Sequence, residues 1–156
     1  MRKVFRGPLP ALALSLLVAG TALATAASGF SPTALARGTM SGSVQFNTGE
    51  IKLQTKGSSD FAMATVTILP LGSSGWHSHP GVVLVTVKSG SLVFYASDCS
   101  ATTHSAGTSF VESGDLAGLV RNESTTTNAV VYVTYIVPAG APALRIDQAN
   151  PGCPQS

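Results

Sequence analysis

Two histidines separated by one residue, His77 and His79, are the side chains of this 156-residue chain best suited to chemistry. They precede a run of aliphatic and β-branched residues at 82–87, which predicts a β-strand. In an extended chain alternate side chains share one face, so the two imidazoles can point to a common spot. Imidazole is a good ligand for zinc, copper, nickel and ferrous iron. The pair therefore predicts a divalent-metal or small-ligand site at the entrance to a strand.

Two ligands are few for a metal site, because a stable site usually has three or four protein ligands. Three further residues could complete the set: His104, Glu112 and Asp115. His104 is more simply explained as a surface or turn histidine. The two carboxylates flank the turn at 113–114 and are more simply explained as solvated side chains. Without a metal, His77 and His79 would line a pocket and hydrogen-bond each other or water.

Other kinds of catalytic site are not indicated. The sequence has no G-x-S-x-G, no cysteine and histidine at a suggestive spacing, and no phosphate-binding glycine loop followed by lysine. Trp76 and Phe94 are better explained as core residues than as stacking platforms. Asn122 begins a glycosylation triplet but is better explained as a turn asparagine. One of three tyrosines could place a hydroxyl near the site: Tyr95, Tyr132 or Tyr135.

The N-terminal residues have the pattern of a secretory signal peptide. Three basic residues precede an apolar stretch at about 9–24, and triplets with small residues at both ends follow. A retained membrane anchor is the alternative, but the apolar stretch is shorter than the roughly 20 residues that a spanning helix needs. We expect cleavage near Ala26 or Ala27, within the range 24–36. The mature protein would then be secreted or held in the cell envelope, and only the leader would contact a membrane.

The charge of the chain points to no polyanionic partner. Without the leader, six basic residues stand against seven acidic ones, so the basic character lies mostly in the leader. The mature part has no basic stripe, and we expect it to bind neither nucleic acid nor an acidic membrane surface.

The mature part has the composition of one all-β domain. Charged residues make up only 10% of the chain and good helix formers are scarce, which favours short strands. We divide the chain into a signal peptide (1–27), an N-terminal arm (28–43), a barrel domain (44–138) and an irregular C-terminal tail (139–156). Eight strands are predicted, at 44–46, 51–54, 61–69, 82–87, 92–96, 109–111, 119–122 and 129–137. Their number and spacing indicate a jelly roll.

Both cysteines, Cys99 and Cys153, belong to the exported part, where thiols are usually oxidised. A disulfide between them would close a loop of about 54 residues and stabilise the fold by about 4 kcal/mol. Two free thiols, or pairing with another chain, are the alternatives.

The residues around the histidines carry a resemblance to a known family. Residues 75–80, Gly-Trp-His-Ser-His-Pro, with the following strand and Gly90, resemble the first motif of the cupins. Residues 107–123, from a glycine to Asn122 and Glu123, resemble the second motif. In particular, the chain is similar to small secreted cupin-domain proteins of actinobacteria. The resemblance implies a double-stranded β-helix barrel whose interior usually holds one divalent metal.

The sequence departs from the cupin pattern at two of the four usual ligands. The slot of the family's glutamate is Val83, and the slot of its third histidine is Gly118. Only His77 and His79 carry over as candidate metal ligands.

Three functions are compatible with this pattern. The first is a secreted barrel that binds a small molecule, or weakly binds a divalent metal such as zinc, iron, manganese, nickel or copper, at His77 and His79. The alternative is a metal-dependent oxidoreductase or isomerase whose substrate completes the metal shell. The third is a non-catalytic scaffold that forms a homodimer along the N-terminal arm.

Overall fold

A computed structural model describes residues 24–155, so all but the last few residues of the predicted leader lie outside the described residues. The described residues form twelve β-strands and no helix, and hence no helix that could span a membrane is found among them. The strands are β1 (Ser28–Met40), β2 (Gln45–Asn47), β3 (Lys52–Gln54), β4 (Ser59–Ser73), β5 (His77–Ser78), β6 (Val82–Ser89), β7 (Ser91–Ala96), β8 (Ala101–Ser105), β9 (Ser109–Glu112), β10 (Gly118–Arg121), β11 (Ala129–Pro138) and β12 (Ile146–Asp147).

Ten of these strands build a nearly closed antiparallel barrel with two walls. Sheet one has the strand order β1-β4-β11-β6-β9. Sheet two has the order β12-β5-β10-β7-β8. The long strand β4 joins the two sheets, because Ser73 at its end pairs with Arg121 of β10. Strands β2 and β3 form a separate hairpin.

From β6 onward the chain passes repeatedly between the two sheets. Strands β6, β9 and β11 lie in sheet one, whereas β7, β8 and β10 lie in sheet two. Gly90 makes the first crossing with a φ of 74°, and a Cβ at this position would collide with the carbonyl oxygen of Asn128. This order of strands is a double-stranded β-helix, so the predicted all-β jelly roll is confirmed.

The hydrophobic core lies between the two sheets. Along β4, β6 and β11 every second side chain is buried, as the two-residue period of a strand requires. The core residues are Val66, Ile68, Val83, Val85, Val87, Leu92, Val120, Ala129, Val131 and Val133. Phe94 packs against this core as expected. The rigid wall that results positions the side chains at one end of the barrel.

A second cluster covers the outer face of sheet two. Trp76 is fully buried there with Leu119 and Tyr95, which confirms its core role. The predicted disulfide is present, and Cys153 packs into this cluster. The Trp76 indole N–H also donates a hydrogen bond to the carbonyl of Gln155 at 3.0 Å. The C-terminal tail is therefore tied to the segment that carries the histidines.

All eight predicted strands occur, and four more accompany them. The arm residues form β1, which pairs with β4 over almost its whole length. The tail contains the short strand β12, which pairs with β5. Asn122 is fully buried, and its amide bonds three backbone carbonyls, of Ile68, Leu69 and Thr127, as a turn asparagine does.

Candidate metal centre

His77 and His79 lie on sheet two and its exit loop, whereas Glu112 ends β9 of sheet one. The chain between the histidines and Val82 is not one continuous strand, since β5 ends at Ser78. Even so, His77, His79 and Val83 line the same cavity, while Trp76 packs outside sheet two. The alternation expected from the sequence therefore holds for the side chains that matter to the site.

The three side chains form a compact group inside the barrel. One possible ligand atom from each lies within 4.8 Å of the other two, and all three residues are buried. His79 Nε2 is 2.9 Å from Glu112 Oε2, and His77 Nε2 is 3.6 Å from the same oxygen. Among the described residues no other group of His, Cys, Asp and Glu side chains is close enough to hold a metal ion.

Backbone carbonyls fix the orientation of both imidazole rings. His77 Nδ1 is 2.9 Å from the carbonyl oxygen of Gly75, and His79 Nδ1 is 2.6 Å from that of Leu144. A carbonyl oxygen only accepts, so each Nδ1 is the donor and each ring turns Nε2 toward Glu112. Nε2 of each ring, which faces Glu112, is then the nitrogen that could bind a metal ion in place of a proton.

Glu112 is held as a carboxylate. Burial raises its pKa, but hydrogen bonds from His77 and His79, together with their charges, outweigh burial and bring the pKa to about 2. The expectation that Glu112 is a solvated turn carboxylate is therefore wrong. Its other reading, as a residue that completes the metal set, agrees with the geometry.

The cavity beside the three residues is small and otherwise almost entirely apolar. Its volume is about 30 Å³, and Tyr135 supplies the only other polar side chain in its lining. The Tyr135 ring lies 5.6 Å from that of His79, and burial and the nearby Glu112 raise the pKa of its phenol. At about 10–15 Å³ for a water molecule, the cavity has room for about two such molecules.

The other candidate residues lie away from this group. His104, the one half-buried residue of the otherwise exposed strand β8, stacks on Phe110, with ring centroids 4.1 Å apart. Asp115 is exposed, as expected for a turn carboxylate. The Tyr95 hydroxyl donates a hydrogen bond to Glu123 on the far side of sheet two. Tyr132 is exposed, and the Lys88 ammonium lies over its ring. Of the three tyrosines, Tyr135 alone reaches the cavity.

Comparisons with known proteins found similarity at the level of the fold. No protein-family model and no curated protein matches the chain. A Klebsiella pneumoniae protein with a double-stranded β-helix domain is 19% identical over 54% of this chain and 73% of its own, with a TM-score of 0.47. A cupin 2 conserved barrel domain protein from Leptotrichia buccalis is 17% identical over 67% of this chain and 39% of its own, also at 0.47. An oxalate oxidase bound to glycolate is 24% identical over 47% of this chain and 40% of its own, at 0.42.

The strand order and the inward-facing histidines of the barrel agree with the motifs found in the sequence. The chain has the cupin fold. In this cupin fold the position of Glu112 explains how a carboxylate reaches the site although the usual slot is Val83. Val83 and Glu112 are directly paired across β6 and β9, so a side chain from either position enters the cavity at nearly the same place.

Among the described residues the fourth ligand expected from the cupin motif has no counterpart, and the Phe94 ring lies in its place. Gly118 pairs with His77 on one side and Ala96 on the other. A Cβ at Gly118 would lie 2.6 Å from the Phe94 ring, so that ring occupies the space of a longer side chain. Among the described residues the candidate centre of this cupin fold therefore offers three possible protein ligands: His77, His79 and Glu112.

Sequence reasoning ranked Glu112 low, although the sequence contained a signal for it. The predicted strand at 109–111 places Phe110 inward, and the two-residue period gives Glu112 the same direction if the strand runs one residue further. The pairing of β9 with β6 then brings Glu112 to the histidines, and this pairing is not visible in the spacing of residues.

Proposed function

We propose that this protein is an exported cupin-fold barrel that binds one divalent transition-metal ion through His77, His79 and Glu112. The convergence of two imidazole nitrogens and one carboxylate within 4.8 Å, in an otherwise apolar cavity, carries the proposal. Two histidines and a carboxylate are a donor set typical of metal sites that keep positions open for water or a ligand. A small molecule would take those positions.

The donor atoms of the chain fit such an ion. Both Nδ1 atoms are occupied by carbonyls, so the ion would bind both Nε2 atoms and would replace the hydrogen bond between His79 and Glu112, whose charge balances part of that of the ion. The apolar lining limits access of water to the ion. When bound, the ion would act as a Lewis acid toward a small ligand. Zinc, iron, manganese, nickel and copper are all compatible with this donor set.

The test is titration of purified protein with Co²⁺, with binding measured by calorimetry and by visible absorption. We expect one ion per chain in the wild type. Glu112→Gln keeps the shape of the side chain but removes its charge, and it should weaken binding at least about 100-fold, since loss of a mere supporting residue already costs 10- to 100-fold. Asp115→Asn, an exposed carboxylate three residues away, should bind as the wild type does. Equal affinities for Glu112→Gln and the wild type would overturn the proposal.

A metal-dependent oxidoreductase or isomerase is the second candidate, and the third ligand favours it. Metal-centred catalysis needs a firmly held ion with open positions, and three protein ligands meet that need better than two. The discriminating assay compares oxygen uptake and product formation by metal-loaded wild type with those of His77→Ala/His79→Ala. Turnover that depends on the histidines supports an enzyme, whereas equal rates in both proteins exclude catalysis at this site.

We also propose that the protein functions outside the cytosol, which the disulfide is compatible with. Thr25 contacts the site region: its hydroxyl accepts a hydrogen bond from Trp76 N at 2.6 Å, and its N–H donates to the carbonyl of Gln148. Cleavage after Ala24, which ends a small-x-small triplet, would keep both bonds, whereas cleavage after Ala26 or Ala27 would remove them. N-terminal sequencing of protein from the culture medium should begin at Thr25. A start at Ala27 or Ser28, which follows from the cleavage points favoured by the sequence pattern, would contradict this.

Homodimerisation along the arm remains a proposal. Among the described residues β1 pairs only with β4, so its other edge is available to a second copy. Light scattering of the wild type and of Leu35→Lys, a change at an exposed residue of β1, tests it. A dimeric mass that the substitution halves supports the arm interface, and a wild-type monomer excludes it.

A further inference from the structure

The inner cavity is too small to hold an organic ligand, but a larger space adjoins it. A groove of about 450 Å³ lies where sheet one meets the chain segment that leads into β12. We call it the seam groove, and it is lined by Phe30, Pro32, Ala34, Ala64, Tyr135, Leu144 and Arg145. Its volume falls in the range of about 300–1,000 Å³ that is usual for small-molecule sites.

The seam groove reaches the metal centre through shared residues. Phe30 and Tyr135 line both the groove and the inner cavity. Leu144, a third groove residue, accepts the hydrogen bond from His79 Nδ1 through its carbonyl oxygen. The other two open spaces beside the centre each share a single residue with the inner cavity: His79 in one and Glu112 in the other. The seam groove therefore adjoins the inner cavity on the side of Phe30 and Tyr135, although none of the three candidate ligands lines it.

The side chains that line the groove are apolar, except those of Tyr135 and Arg145. Arg145 is the only charged residue in the lining. Its Nε donates to Asp147 at 2.7 Å, while its Nη1 is buried and has no hydrogen-bond partner among the described residues. Asp147 lies largely in solvent, with 61% of its side chain exposed. The Arg145 side chain is itself 25% exposed, so part of its guanidinium can meet a ligand although Nη1 cannot. A positive charge in the wall of an otherwise apolar groove favours an anion with an apolar body.

We propose that the seam groove binds a small organic carboxylate, with the carboxylate on Arg145 and the apolar body against Phe30 and Pro32 at the mouth of the inner cavity. This rests on the proposed function for its biological meaning, since the bound molecule would lie next to the metal centre. A charge-assisted hydrogen bond from the guanidinium to the carboxylate would explain how one residue selects the ligand class.

The test uses benzoate and benzamide, which share shape and differ in charge, in calorimetric or ligand-observed NMR titrations of metal-free protein in EDTA. The wild type should bind benzoate at least about tenfold more tightly than benzamide, as expected for a charge-assisted hydrogen bond. Arg145→Gln should lose this preference, and Arg145→Lys should keep part of it. Phe30→Ala should weaken binding of both probes to a similar extent.

Arg121→Gln is the matched control, because Arg121 is an equally buried arginine that contacts a carboxylate outside the groove. It should bind both probes as the wild type does. Wild type without a preference for benzoate, or Arg145→Gln with the full preference, would overturn the proposal. His77→Ala/His79→Ala should retain the preference for benzoate. A protein that binds Co²⁺ without preferring benzoate refutes the groove alone, and one that prefers benzoate without binding Co²⁺ refutes the metal site alone.

Discussion

A backbone carbonyl orients each imidazole of the candidate centre. The carbonyl of Gly75, two residues before it, holds His77, the carbonyl of Leu144 in the C-terminal tail holds His79, and Glu112 enters from the opposite sheet. The arrangement is compact because His79 bonds Glu112 directly. A metal ion would replace the proton between them rather than draw distant groups together.

The cross-strand position of Glu112 leads to a prediction about Val83. Because the two residues are directly paired, Val83→Glu in a Glu112→Gln background moves the carboxylate across the strand pair and back to the usual cupin slot. We expect this double variant to bind Co²⁺ at least about tenfold more tightly than Glu112→Gln alone, since the charge of the centre is restored. Circular dichroism controls for folding. A folded double variant no better than Glu112→Gln would contradict the pairing argument.

The contact between Gly118 and Phe94 predicts that this glycine cannot be enlarged without cost. Gly118→Ala should destabilise the fold by about 1–3 kcal/mol, because its Cβ would collide with the Phe94 ring. Phe94→Leu in the same chain should recover part of that loss. Gly38→Ala, also in a strand but with open space around its Cβ, is the control and should be nearly neutral. Urea unfolding measures all four proteins, and equal effects at the two glycines would refute this account.

At the scale of elements, the C-terminal tail supports the histidine segment. Strand β12 pairs with β5, and Gln148 donates through its side chain to the Ser78 hydroxyl at 2.9 Å. Reduction of the disulfide should cost about 4 kcal/mol, given the 54-residue separation of its cysteines. Urea unfolding of the oxidised and of the reduced protein, monitored by the fluorescence of Trp76, the only tryptophan of the sequence, measures this cost. Cys99→Ser/Cys153→Ser should be insensitive to reductant, and an unchanged wild-type midpoint would contradict the prediction.

Strand β1 is fixed to the barrel through Asp60 at the start of β4. Its carboxylate accepts hydrogen bonds from Thr39, from Arg37 and from the Gly140 N–H, and these bonds, that of Thr39 foremost, lower its pKa from 3.8 to about 2. The unfolded chain therefore binds more protons than the folded one between these two values. The stability that Asp60 contributes is complete above about pH 4 and is lost as the pH falls toward about 2.

Asp60→Asn should accordingly lose less stability on acidification than the wild type. Thermal unfolding at about pH 5 and about pH 2.5 measures the loss. Glu112 acts in the same direction, so the variant keeps a smaller dependence. Asp115→Asn, an exposed turn carboxylate, should behave as the wild type does. An Asp60→Asn protein with the full wild-type loss would show that this carboxylate does not hold β1.

The strands that could be predicted are those whose own residues show a β-strand pattern. Strand β11 is a nearly unbroken run of β-formers, and β6 and β7 are separated by a glycine turn. Strand β8 is not predicted, and β1 is predicted only as an extended arm, because their residues are small, polar and largely exposed and only their partners make them strands. The same limit applies to the site: His77 and His79 are close in sequence, whereas Glu112 joins them only through the pairing of β9 with β6.

At the scale of the whole molecule, two sheets enclose an apolar interior. The N-terminal and C-terminal segments of the described chain lie together at one edge of it. The arm supplies Phe30 and the tail supplies Leu144 and Arg145, so the seam groove is formed by the segments least regular in sequence. The centre itself lies between the sheets, with two ligands from one and the third from the other. A metal ion at this place would therefore also link the two walls of the barrel.

The most direct test of the account is a crystal structure of the protein grown with Co²⁺, with anomalous scattering recorded at the cobalt edge. The account predicts one strong anomalous peak inside the barrel, about 2.0–2.2 Å from Nε2 of His77, Nε2 of His79 and a carboxylate oxygen of Glu112. An ordered barrel whose cavity shows no peak, or a peak bound at His104 instead, would contradict it.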